Sequence, residues 1–209
     1  MTAQSAGVIT ESAYMDGEPL PDWVTPPPGG FTADDFFRME DLLPRHTELF
    51  DGSLVFVSPQ RKWHVRVINL LRDELSRQAP AELCADREMT VRLSERHAPE
   101  PDVLIVSAEA YERDEPSTYY LPEDVVLVVE AVSPDSEIRD REIKPRRYWA
   151  AGIRYYWRVE EDEGSTVVYA YEFDPAVDSY VLTGIHHDQL KVTGPFPIEI
   201  DLTAVAKRR

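Results

Sequence analysis

The chain of 209 residues has one cysteine, Cys84, and sets 22 lysines and arginines against 39 aspartates and glutamates. A lone cysteine excludes an intramolecular disulfide and suits a reducing compartment, so a cytoplasmic location is expected. No apolar run is long enough to span a bilayer, and no membrane partner is expected. The opening MTAQSAGVITESAYMDGE lacks both a basic and a long apolar segment and does not read as a secretory signal. A net charge of −17 argues against non-specific, phosphate-driven binding, because that affinity comes from Lys and Arg displacing counterions. The densest local exception is RDREIKPRRYW, Arg139 to Trp149, with five bases in eleven positions. There is no Gly-rich phosphate loop, no GxSxG elbow and no Cys/His zinc spacing, and His186-His187 lacks companion ligands. No repeat occurs at solenoid or propeller periods.

What the chain does contain begins with a proline-rich arm. Residues 1–30 hold PLPDWVTPPPGG and four acids without a base, the composition of a flexible or polyproline-like segment, and residues 31–209 are expected to form a single domain. TADDFFRMEDLL has a capping Thr32, acids in the first turn and an amphipathic pattern, which predicts a short helix. In TELFDGSLVFVS, Asp51-Gly52 lies between apolar segments and predicts a hairpin carrying Glu48 on its first strand. QRKWHVRVINLLRDELSRQ repeats Trp63, Val67, Leu70, Leu71 and Leu75 at helical period. Short strands follow around 82–85 and 88–93, then PDVLIVS and VVLVVEAVS. A charged helix ends at Gly152, with Pro145 in its first turn or kinking it, and IRYYWRV, STVVYAYEF and SYVLT read as further strands. This order predicts an α/β (α+β) fold, a mixed β-sheet flanked by helices with an N-terminal helix and hairpin.

VVLVVEAVS is the informative segment. Seven of its nine residues are apolar, as in a strand buried on both faces, yet Glu130 lies inside it. Burying an ionised carboxylate costs several kcal/mol unless it is paired or coordinated. If PDVLIVS is a neighbouring strand, Asp102 and Glu130 point at one site and could hold a hard cation such as Mg²⁺. The plainer readings stay open: Asp102 as a turn residue, Glu130 in a buried salt bridge to Arg154 or Arg158, and Lys144 as a solvated helix residue.

EPDVLIV, VVLVVEAVSPDSEIRDREIKPRRYWAAGIRYYWRV and, upstream, HTELFDGSLVFVSPQRKWH together resemble the Uma-two family of restriction-endonuclease-type nucleases, within the PD-(D/E)XK superfamily. The resemblance runs from about Thr32 to Val159 and implies a restriction-endonuclease-like fold. It implies Asp102 and Glu130 as ligands of Mg²⁺ or Mn²⁺, Glu48 as a further acid at the metal, and Lys144 as the catalytic lysine. In the superfamily's usual pattern that lysine follows the second acid by two positions, where this chain has Val132; in this family the next helix supplies it. Asp140 and Tyr148 match family positions one turn to either side of Lys144, and His64 matches the family's helical histidine as a supporting or DNA-facing group.

The resemblance therefore implies a metal-dependent endonuclease acting on DNA, expected to be a homodimer, with the aromatic strands IRYYWRV and VVYAYEF as one source of an apolar interface. Two alternatives stand beside it. One is a non-catalytic nucleic-acid or protein-interaction module on the same fold, and the other is a structural dimer in which an arginine neutralises Glu130.

Overall fold

The computed structural model describes residues 25–56, 60–133 and 136–206, together with the backbone of residues 14, 15, 18 and 19. Most of the proline-rich arm lies outside the described residues, as do Ser58-Pro59 and Pro134-Asp135. Within the arm, β1 (Tyr14–Met15) and β2 (Glu18–Pro19) form a minimal antiparallel pair.

The chain then runs through α1 (Ala33–Arg38), the hairpin β3 (Thr47–Phe50) and β4 (Ser53–Phe56), the long α2 (Lys62–Gln78), β5 (Leu83–Arg87), β6 (Thr90–Val91) and β7 (Val103–Ser107). Next come α3 (Ala108–Glu112), β8 (Tyr119–Tyr120), β9 (Val125–Ala131), α4 (Lys144–Ala150), β10 (Tyr155–Asp162), β11 (Ser165–Asp174), β12 (Ser179–His186), β13 (Gln189–Val192) and β14 (Ile198–Asp201). Six of these strands build the central mixed sheet in the order β12-β11-β10-β9-β7-β5, parallel only where β9 meets β10. The fold is the expected mixed α/β one, with helices on both faces.

Local chemistry accounts for the elements that matter to the site. Thr32 caps α1 in a reciprocal box with Asp35. Asp51 and Gly52 both take positive φ, 47° and 78°, the turn that suits the twist of a two-residue hairpin and leaves Glu48 on β3. Asp51 is held from outside by His97, whose Nε2 lies 3.0 Å from the carboxylate while Nδ1 accepts from the Asp51 N–H. At the end of α4, Gly152 at φ 88° closes a Schellman turn: its N–H donates to Trp149, and that of the buried Ile153 donates to Tyr148.

β9 is covered on both sides, as its valine run predicts. Leu127, Val129 and Ala131 join Trp157 and the α2 residues Val67, Ile68, Leu71 and Leu75 in one core cluster, to which β13 and β14 add Leu190, Ile198 and Ile200. Val128 packs on the opposite face with Leu104, Tyr148 and Tyr156. Each such aliphatic side chain contributes roughly 1.5–3 kcal/mol when fully buried. Alternation along the strand then turns Glu130 onto the α4 face. Tyr156 and Trp157 of IRYYWRV are spent in these two clusters, so the strand expected to offer an apolar interface is internal to the fold.

Candidate active site

Lys144 opens α4, and its ammonium is the centre of the site. Nζ lies 2.8 Å from Glu48 Oε1, 3.1 Å from Glu130 Oε2 and 3.3 Å from Asp140 Oδ1. All four residues are buried. The readings of Lys144 as a solvated helix residue and of Glu130 as an arginine's partner are therefore both corrected: Arg154 pairs with Glu172, and Arg158 with Glu160. Glu130 is further held by the Tyr148 hydroxyl, which donates to Oε1 at 2.5 Å, and Glu48 by the backbone N–H of Glu100, at 3.0 Å. Asp140 and Tyr148 flank Lys144 at i−4 and i+4, so one helical face presents all three groups.

The helix does not start regularly, and Pro145 is the reason. Residues Arg139–Ile143 form a π-type turn in which the Lys144 N–H reaches the carbonyl of Arg139. Pro145 has no N–H to give to Asp140 or Arg141, so the ladder cannot continue in register there. The carbonyl of Asp140 takes instead the buried Tyr156 hydroxyl, at 2.6 Å. Tyr156 was not found from the sequence; the parallel pairing that sets it opposite Val128, on the face of Glu130, was the missing information.

Asp102 stands on the other side of the strand end. Val103 pairs with Val129, which brings the preceding residue to the level of Glu130. Its Oδ2 accepts from the Ala131 N–H at 2.7 Å, and its Oδ1 lies 3.0 Å from His64 Nε2. Asp102 is thus more than the start of a strand after proline. His64 projects from the first turn of α2 and is 3% exposed, and its Nδ1 has no partner among the described residues. Every residue singled out in the sequence therefore reaches this end of the sheet, in two groups: Glu48, Glu130, Asp140, Lys144 and Tyr148 around one ammonium, and Asp102 with His64 beside them.

The charges do not cancel. Three buried carboxylates face one ammonium, and burial pushes the Glu130 carboxyl well above the usual carboxylate range; Lys144 opposes this, while Asp140, Asp102 and Glu48 reinforce it. Burial raises Asp140 as well, again against Lys144. For Lys144, burial acts to lower the pKa, but Glu130, Glu48 and Asp140 overcome it and hold the ammonium well above its ordinary value. Burial likewise acts to lower His64, and Asp102, with Glu88 and Asp140, raises it.

A divalent cation would take the place of protons on these buried acids, and the donors are of the right kind: carboxylates of Asp102, Glu130 and Glu48 with the carbonyl of Ala131, all hard oxygen ligands. Among the described residues no group of three or more His, Cys, Asp or Glu is arranged to hold a metal ion. The point where Glu48, Glu130 and Asp140 converge is filled by Lys144. The residues fit a hard cation in charge and donor type.

Comparison with known proteins bears on the whole arrangement. A search among curated proteins finds no match. Among solved structures, a protein of Anabaena variabilis titled "putative nuclease belonging to DUF820" superposes with a TM-score of 0.55 at 17% identity, over 79% of this chain and 89% of that one. At that identity the likeness speaks for the fold alone. The Uma2 family model, described as "Putative restriction endonuclease", matches residues 33–205, from α1 to beyond β14 and across every residue of the site. The chain belongs to the Uma2 family.

Proposed function

We propose that the chain is a metal-dependent endonuclease that hydrolyses phosphodiester bonds of DNA, with residues 31–209 as its catalytic domain and residues 1–30 as an arm outside it. The observation that carries this reading is the buried ammonium of Lys144 among Glu48, Glu130 and Asp140, with Asp102 on the neighbouring strand. A structural ion pair needs one acid for one base; three acids on one lysine exceed that need and give a dication carboxylates to displace protons from.

Asp102 and Glu130 would hold Mg²⁺ or Mn²⁺, helped by Glu48 and the Ala131 carbonyl. A metal bound there supplies a polarised phosphate oxygen and a water of lowered pKa. The remaining chemistry belongs to the protein. Lys144 orients the attacking water or stabilises charge on the scissile phosphate. Tyr148 fixes Glu130 through its donated hydrogen bond, and His64 fixes Asp102. For the expected homodimer, the edge strand β12, with Leu182 and Ile185 about half exposed, offers one apolar surface.

Nicking of supercoiled plasmid by the purified protein tests the reading, with Mg²⁺, with Mn²⁺ and with chelator. Cleavage that needs metal and is lost in folded Glu130→Gln and Asp102→Asn is the expected result. A folded protein that cleaves neither plasmid nor single-stranded DNA with either metal would leave the interaction-module alternative in its place.

A further inference from the structure

Beside the acids, the N-terminal end of α2 opens into a cavity of about 200 Å³ whose walls include Gln60, Arg61, His64, Ser133 and Arg141. We propose that this cavity holds a phosphate of the nucleic-acid strand next to the scissile one, an inference that rests on the nuclease reading above.

Two independent features point there. The first is the helix end. α2 is 17 residues long, Arg61 at its N-cap makes no side-chain capping bond, and its first turn contains no acid. The N–H groups of Lys62, Trp63 and His64 precede the first intrahelical donor, Val65, so nothing in the helix accepts from them, and the helix dipole favours an anion at that end. The second is His64 itself. It lines the cavity, is buried, and spends only Nε2, on Asp102. Nδ1 is left without a partner among the described residues. The ring therefore lies between the cavity, which it lines, and Asp102.

Three acids also line the cavity, and their charge is largely answered. Arg141 holds Glu137 at 2.5 Å and Glu160 at 2.6 Å, and Arg158 also pairs with Glu160. Glu161 is exposed. Arg61 is exposed and makes no ion pair among the described residues, which leaves it to meet the phosphate.

Backbone amide shifts of the full chain in chelator, titrated with inorganic phosphate and then with a 5′-phosphorylated oligodeoxynucleotide, test the site without any turnover. Saturable shifts at Lys62, Trp63 and His64, weakened roughly tenfold or more in Arg61→Glu, are expected, since reversing the charge replaces an attraction by a repulsion. Wild-type shifts scattered over the surface, or binding unchanged in Arg61→Glu with its melting temperature intact, would overturn the site. Localised shifts in a protein that never nicks plasmid would uphold the site while removing the nuclease reading; nicking without the shifts would remove the site alone.

Discussion

The two faces of the central sheet use the same strand for opposite purposes. Along β9, Leu127, Val129 and Ala131 face α2 through an apolar cluster, whereas Glu130 faces α4 through an ammonium, a phenol and two further acids. On the first face burial alone stabilises. On the second, an apolar cluster with Val128 and Leu104 lies beside buried acids whose desolvation Lys144 offsets only in part. The α2 face is apolar throughout, whereas the α4 face sets a buried charged group beside its apolar cluster.

Lys144→Ala should break the comparison hardest. It leaves three buried carboxylates without their cation, and the expected loss is roughly 3–5 kcal/mol, the cost of breaking a buried pair on one side. Leu71→Ala on the apolar face should cost about 2–5 kcal/mol through the cavity it opens. Urea unfolding separates the two by their response to Mg²⁺: millimolar metal should restore part of the Lys144→Ala loss and none of the Leu71→Ala loss. Equal responses would mean that the polar face has no special demand for positive charge.

A finer cut on the polar face compares its two buried phenols. The Tyr148 hydroxyl serves a carboxylate, Glu130, and the Tyr156 hydroxyl serves a backbone carbonyl, that of Asp140. Tyr148→Phe should cost about 1.5–3 kcal/mol and Tyr156→Phe about 0.5–1.5 kcal/mol, because bonds to charged groups are worth more. Denaturant midpoints giving the reverse order would show that the π-type turn, and not the anchoring of Glu130, is the more demanding feature.

Much of this was legible in the residues. A continuous valine-rich run predicts β9, and the acid inside it announced the site; Asp51-Gly52 predicts the hairpin that carries Glu48. Other features were not. His64 and Ile68 line the buried face of α2, although the helical pattern was read from Trp63, Val67, Leu70, Leu71 and Leu75, because a histidine and a neighbouring isoleucine look equally at home on a half-exposed flank. β13 and β14 were not read because each is four residues long and its packing partner lies far away in sequence. The π-type turn depends on a missing N–H at Pro145 and a phenol from a distant strand, which no local pattern reports. Partners were least legible of all: the plainer reading of Glu130 paired it with an arginine, and its partner is the lysine fourteen residues on.

The smallest effect concerns how the polar face is assembled. The hairpin that brings Glu48 to Lys144 is also held by His97, which donates from Nε2 to the Asp51 carboxylate and accepts at Nδ1 from the Asp51 N–H. The bond accepted at Nδ1 requires the neutral ring, and burial, followed by the charge of Arg147, lowers the His97 pKa from its ordinary 6.5. A histidine lowered in the folded state binds its proton more readily when unfolded, so its contribution is full above pH 6.5 and drains away as pH falls towards the folded value. Wild-type stability should thus fall more steeply below pH 6.5 than that of His97→Gln, whose amide can keep bonds to Asp51 but does not titrate. Carboxylates protonate in both proteins and cancel in the difference. Parallel profiles from pH 7 to pH 5 would show that the hairpin carrying Glu48 is fixed by Leu49 and Ala98, whose backbones bond reciprocally at 3.0 Å, without help from the histidine.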